Sequence, residues 1–136
     1  MSTLPRAKVL LFGTFDRLHP GHEFVLTEAM KRGDVIVIIA RDMNVKKIKG
    51  KPAVQSESER RAALIKKFPT VEALLGDPDD FLRPVRTLDP DLILLGYDQK
   101  LPPGIAMEDL PCAIERLPSF HPEVHKSSLN RPFKKG

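Results

Sequence analysis

The sequence contains one cysteine, one tyrosine and no tryptophan. The single cysteine, Cys112, excludes an internal disulfide framework and is typical of a protein of the reducing cytoplasm, where we predict this chain to act. No motif of a nucleophile surrounds Cys112, so we expect it to pack. Few aromatic side chains are available for base stacking, so we predict no nucleic-acid partner; the net charge of +4 instead suits anionic small molecules.

Long apolar runs are also absent. No stretch of the length that a membrane span needs occurs, and residues 1–6 lack the apolar core of a secretory signal. We therefore predict no membrane association. The 136 residues suffice for one core, and the chain has no internal repeat or linker, so we predict a single domain, 1–136.

Short apolar runs alternate with helical patterns along the chain. Glu59 lies three residues after Ser56, the spacing of a capping box at a helix start. Residues 41–52 carry a basic cluster and are predicted to form a loop. The alternation predicts an α/β fold, a Rossmann-like, doubly wound parallel sheet of about five strands with helices on both faces. The predicted strands are 8–12, 34–40, 71–75, 91–95 and 113–117, and the predicted helices are 20–32, 56–68, 77–88 and 105–110.

A glycine-bearing turn joins the first strand to the first helix. Pro20 suits the first helical position, and Gly13 and Gly21 allow close approach of the backbone. The first amides of such a helix lack partners, and its dipole favours an anion. His19 and His22 stand three residues apart and can face the same pocket. The turn therefore predicts a phosphate site.

Residues 13–16 and 19–22 carry a specific motif. The string Gly13-Thr14-Phe15-Asp16 followed by His19-Pro20-Gly21-His22 closely resembles the signature of the cytidylyltransferase-like nucleotidyltransferases. This superfamily transfers a nucleoside monophosphate from a triphosphate to an acceptor that bears a phosphate. The resemblance implies that both histidines contact the triphosphate and act on the transition state. It also places a further four residues in the nucleotide site, Gly13, Thr14, Phe15 and Asp16, although Phe15 is expected rather to pack.

Other charged residues are implied by the same resemblance. Lys46 lies where similar enzymes carry a phosphate-contacting, catalytic lysine, although Lys47 and Lys49 are near-equal candidates. Arg60 matches an arginine that contacts phosphate or acceptor; a salt bridge on the helix surface is the alternative. Asp16 can either hold the turn or help to place a metal.

Two later segments complete the predicted site. Gly96, Tyr97 and Asp98 follow the fourth strand, where Gly96 and Asp98 are expected to contact the nucleotide and Tyr97 the acceptor. Ser127 and Ser128 resemble the hydroxyl pair before the last helix of the family, which reaches the triphosphate. A helix cap is the alternative for the serines, and the two roles can coexist.

The acceptor is indicated by residues 40–50 and 95–99. Both stretches resemble those of the archaeal-type FAD synthetases, which adenylate FMN with ATP, and differ from those of the glycerol-3-phosphate cytidylyltransferases. The resemblance implies ATP and FMN as substrates and Mg²⁺ held mainly by the triphosphate and water, with no direct protein ligand. It also allows a homodimer.

The sequence leaves two alternatives open. One is a CTP-dependent cytidylyltransferase acting on glycerol 3-phosphate or a similar alcohol phosphate. The other is a non-catalytic nucleotide-binding module. The chain departs from the family at residues 101–104, which interrupt an expected helix, and after the serine pair, where little sequence follows.

Overall fold

Five parallel strands form one sheet in the order β3-β2-β1-β4-β5. The computed structural model describes residues 6–97, 99, 101 and 105–119. The predicted parallel α/β sheet is confirmed, and each predicted strand is present to within two residues at either end. The strands are β1 (Lys8–Gly13), β2 (Asp34–Ile39), β3 (Glu72–Leu75), β4 (Leu92–Leu95) and β5 (Ala113–Arg116).

The two central strands are apolar because both of their faces are covered. β2 pairs with β1 from Lys8 opposite Asp34 to Gly13 opposite Ile39, and every residue of β2 after Asp34 is buried. Helices α1 (Pro20–Arg32) and α3 (Glu57–Lys67) cover one face, and helix α4 (Arg83–Leu88) covers the other. The sheet is therefore doubly wound, as predicted.

The helix ends follow the local signals in the sequence. Pro20 lies in the first turn of α1, and Gly33 caps its end. A Cβ at Gly33 would lie 2.2 Å from the carbonyl oxygen of Ala7, so only glycine fits there. The predicted capping box of Ser56 and Glu59 is present. No helix within the described ranges is long and apolar enough to cross a membrane.

Three of the predicted elements differ from those in the structure. Residues 41–52 are not a loop, because Asp42–Lys49 forms helix α2, which ends at Gly50 in the left-handed region (φ 77°). The predicted helix 77–88 begins only at Arg83, because the Asp77 carboxylate accepts the backbone N–H groups of Asp79 and Asp80 and holds a turn. Within the predicted helix 105–110 only Met107–Asp109 is helical, as one 3₁₀ turn.

Candidate active site

The carboxyl ends of three neighbouring strands meet at one edge of the sheet. The Ala40 N–H donates to the Gly13 carbonyl at 2.9 Å, and the Gly76 N–H donates to the Ile39 carbonyl at 2.9 Å. The segments after β1, β2 and β3 are thereby fixed side by side. In a doubly wound sheet this edge is where ligands bind.

The turn after β1 is built around Phe15. Phe15 and Arg17 have φ angles of 52° and 50°, in the left-handed region that non-glycine residues rarely adopt. The Phe15 ring is buried and lies so close to Gly13 that a Cβ there would be 2.5 Å from it. The packing expected of Phe15 is thus present, and Gly13 makes room for its ring; contacts of either residue with a nucleotide stay a prediction.

His19 is the N-cap of α1. Its Nδ1 accepts the Gly21 N–H at 3.1 Å. In the neutral ring the proton therefore resides on Nε2, so His19 presents an N–H donor away from the helix. A Cβ at Gly21 would lie 3.0 Å from the His19 ring, so this glycine lets the imidazole fold back over the first turn.

The His22 ring stacks on His19. The two centroids are 3.7 Å apart with an interplanar angle of 21°, and the Phe15 ring lies 5.2 Å away on another side. Burial, assisted by the positive charges of His19 and Lys49, lowers the pKa of His22 to about 4, so the ring is neutral at pH 7. Its Nδ1 is buried without a hydrogen-bond partner in the described part of the chain. The two predicted catalytic histidines thus lie together.

Asp16 holds the turn against the segment before α3. Its two carboxylate oxygens accept the backbone N–H groups of Val54 at 2.8 Å and Gln55 at 2.9 Å. These hydrogen bonds lower the pKa of Asp16 below its ordinary value. The Gln55 side chain adds a second link between the two segments by accepting a hydrogen bond from the Arg17 N–H at 2.8 Å. Two roles were considered for Asp16, to hold the turn and to help place a metal. These contacts favour the first.

Arg60 lies beneath the turn and is fully buried. Its guanidinium donates to the carbonyl oxygens of Thr14 at 2.8 Å and Gln55 at 3.1 Å, and to the Asp42 carboxylate at 2.7 Å. It is therefore not part of a salt bridge on a helix surface. The three nitrogens already serve protein acceptors, so in this arrangement Arg60 supports the turn and does not reach toward a phosphate.

The lysines expected on a loop lie instead on α2. Lys46, Lys47 and Lys49 are all exposed. Of these, Lys49 lies near enough to His22 for its charge to lower the pKa of that ring. The catalytic role of Lys46 stays a prediction, and Lys49 is the one of these three lysines whose charge acts on His22.

The loop after β4 is held by two residues that were not among the predicted site residues. Gln99 accepts the Gly96 N–H at 3.0 Å and donates to the Phe12 carbonyl at 2.7 Å, which ties the loop to the end of β1. Arg116 donates to the carbonyls of Gly96 at 3.0 Å, Tyr97 at 3.2 Å and Gln99 at 2.7 Å. Tyr97 itself is exposed. The predicted contacts Asp98, Ser127 and Ser128 lie outside the described residues.

A protein-bound metal finds little support in the side chains that are described. Among residues 6–97, 99, 101 and 105–119, no three His, Cys, Asp or Glu side chains converge as a set of ligands. Both oxygens of Asp16 accept backbone N–H groups. The donor set of the turn is suited to an anion, because it consists of two imidazoles and a helix N-terminus.

The parallel sheet, the helix N-terminus and the stacked histidine pair agree with the class of protein that the sequence motif predicts. A model of the cytidylyltransferase-like family matches residues 10–127. The chain belongs to this family.

Comparison with individual proteins narrows the class. The FAD synthase of Archaeoglobus fulgidus is 48% identical over 99 residues, which cover 72% of this chain and 71% of that protein. The FAD synthase of Methanosarcina barkeri is 42% identical over 118 residues, covering 82% and 83%. That of Ferroglobus placidus is 50% identical over 93 residues, and the match spans 68% of this chain and 60% of the relative. These relatives confirm the prediction of a nucleotidyltransferase of the FAD synthase type.

A solved structure shows the same fold. The lipopolysaccharide core biosynthesis protein from Thermoplasma volcanium superposes with a TM-score of 0.71 at 34% sequence identity. The match covers 85% of this chain and 98% of that one. The fold is therefore that of a relative whose crystal structure is known.

Proposed function

We propose that this protein transfers AMP from ATP to the phosphate of FMN, giving FAD and pyrophosphate. The relatives support the two substrates, since several proteins named FAD synthase are 40 to 50% identical to this chain over matched stretches of 93 to 118 residues. The observation that carries the chemistry is the stacked pair of His19 and His22 at the N-terminus of α1, with His22 neutral.

The reaction depends more on alignment of the two substrates than on a general base. The FMN phosphate is largely ionised near neutral pH, so its oxygen can attack the α-phosphorus of ATP in line while pyrophosphate leaves. The protein must hold two anions together and stabilise the charge that grows on the phosphoryl oxygens. Imidazoles that donate hydrogen bonds serve this purpose and need not exchange protons.

Three donors at the turn suit the phosphoryl oxygens. His19 offers its Nε2–H, since its Nδ1 is bonded to Gly21. His22 offers its ring N–H and its backbone N–H, which makes no hydrogen bond within the described first turn of α1. Pro20 has no N–H, and those of Gly21 and Glu23 are bonded to His19. An anion bound here would raise the pKa of His22, because negative charge favours the protonated ring.

The remaining ligand contacts are part of the proposal. Mg²⁺ would be bound through the triphosphate and water and would neutralise charge on the leaving pyrophosphate. Gly96 and Tyr97 lie on the loop that Arg116 holds, where we place part of the nucleotide and acceptor contacts. Contacts of Asp98, Ser127 and Ser128 with the nucleotide, a homodimer and a cytoplasmic location stay predictions.

The test is product formation by the purified chain with Mg²⁺ and each pairing of ATP or CTP with FMN or glycerol 3-phosphate. We expect pyrophosphate release and FAD with ATP and FMN alone. Release with CTP and glycerol 3-phosphate would replace the proposal with the cytidylyltransferase alternative. Binding of a triphosphate without turnover of either acceptor would favour a non-catalytic module.

A further inference from the structure

The strands β1 and β4 separate before they reach the carboxyl edge of the sheet. Their paired register ends at Leu10 opposite Ile93, although β1 continues to Gly13 and stays paired with β2 as far as that residue. The order of the strands also reverses here, because β2 and β3 lie on one side of β1 and β4 and β5 lie on the other. In a doubly wound sheet, ligands bind outside the carboxyl ends of the strands at such a switch point.

The side-chain amide of Gln99 spans the gap between the two separated strands. Its Nε2 donates to the Phe12 carbonyl at 2.7 Å, and its Oε1 accepts the Gly96 N–H at 3.0 Å. Continuation of the paired register would bring Gly96 opposite Gly13, so the amide stands where direct hydrogen bonds between the strands would otherwise form. An amide suits this place because it carries a donor and an acceptor in one group.

Gln99 also closes the turn that follows β4. Its backbone N–H donates to the Gly96 carbonyl at 3.1 Å, so the main chain and the side chain of Gln99 both bond Gly96. Arg116 on β5 adds hydrogen bonds to three carbonyls of the same turn, but these are exposed to solvent. Arg116 therefore ties the turn to β5, whereas the half-buried amide of Gln99 ties the base of the turn to β1.

The end of β1 is also where the turn that carries the histidines begins. Phe12 directly precedes Gly13, the first residue of that turn. A displacement of the turn after β4 relative to Phe12 is therefore also a displacement relative to the histidine pair. Transfer between two bound substrates is sensitive to such a displacement, because the reacting atoms must be held in line.

We propose that Gln99 is a positioning residue whose amide sets the separation between the turn after β4 and the turn that carries the histidines. The inference rests on the proposed function, in which Gly96 and Tyr97 contact the nucleotide or the acceptor and the histidines contact the phosphates. Gln99 acts through these residues, since both polar atoms of its amide bond the main chain. Its loss should lower the rate of the bound complex more than the affinity for ATP.

The test compares two substitutions of Gln99 with a matched control. Gln99→Met retains the length of the side chain and removes both hydrogen bonds. Gln99→Glu can form both bonds only when its carboxyl is protonated, because one oxygen then donates to Phe12 and the other accepts from Gly96. Lys66→Met, at an exposed position on α3, controls for the introduction of methionine.

Three quantities are measured for each variant. The first is the rate of FAD formation in a single turnover at saturating ATP, FMN and Mg²⁺, at several values between about pH 5.5 and pH 8, a range over which a half-buried carboxyl titrates. The second is the affinity for ATP, from calorimetry. The third is the melting temperature, which shows that each variant folds.

We expect Gln99→Met to form FAD about tenfold or more slowly than the wild type at every pH, with ATP affinity within about threefold. Gln99→Glu should be similarly slow at pH 8. Relative to the wild type at the same pH, its rate should recover as the pH falls, because protonation restores both hydrogen bonds. Lys66→Met should match the wild type throughout.

A folded Gln99→Met variant with a rate close to that of the wild type would overturn the inference. A large loss of ATP affinity at an unchanged rate would also overturn it, because Gln99 would then be a binding contact. If Gln99→Met does not fold, Gln99→Glu decides, and a relative rate that does not change with pH would contradict the positioning role. The proposed function fails separately, if the wild-type protein makes no FAD from ATP and FMN.

Discussion

The turn after β1 and the loop after β4 lie at the same edge of the sheet and are each held by an arginine, but in different surroundings. The Arg60 guanidinium is fully buried and joins three separate elements, at Thr14, Gln55 and Asp42. The Arg116 side chain is exposed, and its bonds all go to carbonyls of a single loop. Loss of the buried hydrogen bonds of Arg60 should therefore cost much more stability than loss of the solvent-exposed hydrogen bonds of Arg116.

This difference matches what each region has to do. The turn carries the histidines, whose donors must stay in place because misalignment of reacting groups is costly in rate. The loop after β4 carries exposed Tyr97 and can adjust to the ligand at little cost. The site thus combines a rigid phosphate end with a more adaptable end.

Substitution of the buried arginine should have the largest effect on stability. Arg60→Met leaves two carbonyls and the Asp42 carboxylate without a partner, and we expect a loss of about 3 kcal/mol in the free energy of unfolding. Urea denaturation measures this loss. Lys66→Met, an exposed position on the same helix, is the control and should change stability by less than about 0.5 kcal/mol. Equal stability of the two variants would remove the distinction between the two regions.

A methyl group at the first residue of the turn should have the next largest effect. In Gly13→Ala the new Cβ would lie 2.5 Å from the Phe15 ring, so the buried ring must move. We expect a loss of about 1–3 kcal/mol, together with lower activity because the Phe15 ring also contacts His22. Gly96→Ala is the control for stability, because its Cβ would meet no atom closer than 3.8 Å. A stable, fully active Gly13→Ala variant would show that the turn is not rigid.

The low pKa of His22 should appear as a pH dependence of stability. In the unfolded chain this ring takes up a proton near pH 6.5, whereas in the fold it stays neutral down to about pH 4. The contribution of the neutral His22 ring to the free energy of unfolding is therefore complete above pH 6.5. It is lost as the pH falls from 6.5 to about 4. We expect a contribution of about 1–2 kcal/mol, reduced because the side chain is only partly buried.

Two measurements check this prediction. The stability difference between the wild type and His22→Gln should shrink between pH 7.5 and pH 4.5. An NMR titration of the His22 ring should give a midpoint near 4 in the free protein and a higher midpoint with ATP and Mg²⁺. A midpoint near 6.5 in the free protein would show that the ring is not buried as described.

Substitution of the exposed arginine should have the smallest effect on stability. Arg116→Met should cost less than about 1 kcal/mol, because its bonds are open to solvent. We expect the KM for ATP to rise by a few fold with little change in kcat, since the loop that it holds is proposed to contact the nucleotide. Steady-state kinetics beside Lys66→Met test this. A loss of stability as large as that of Arg60→Met would contradict the comparison.

Local patterns in the sequence predict most of the fold. The β-branched run of residues 34–40, the capping box at Ser56 and the cap at Gly33 each act through neighbours in sequence, and each is found where expected. Helix α2 has the cap at Gly50 but no apolar stripe, because Val45 is its only buried apolar residue and its other positions are largely charged. The sequence of α2 therefore shows no helical period of apolar residues.

The arrangement of the site residues is predictable from the sequence only where the residues belong to one short motif. His19 and His22 are adjacent on the first turn of a helix, so their proximity follows from spacing. The burial of Arg60 does not, because it depends on how α3 packs against a turn 46 residues away. The contacts of Arg116 likewise require β5 to pair with β4.

The most direct test of the account is the rate of FAD formation in a single turnover, measured for the wild type and for His22→Ala at saturating ATP, FMN and Mg²⁺. We expect the variant to fold and to bind ATP within about tenfold of the wild type, and to form FAD on the order of 10²- to 10³-fold more slowly, because a donor to the transition state is lost. A folded His22→Ala protein that forms FAD at a rate close to that of the wild type would contradict the proposed role of the histidine pair.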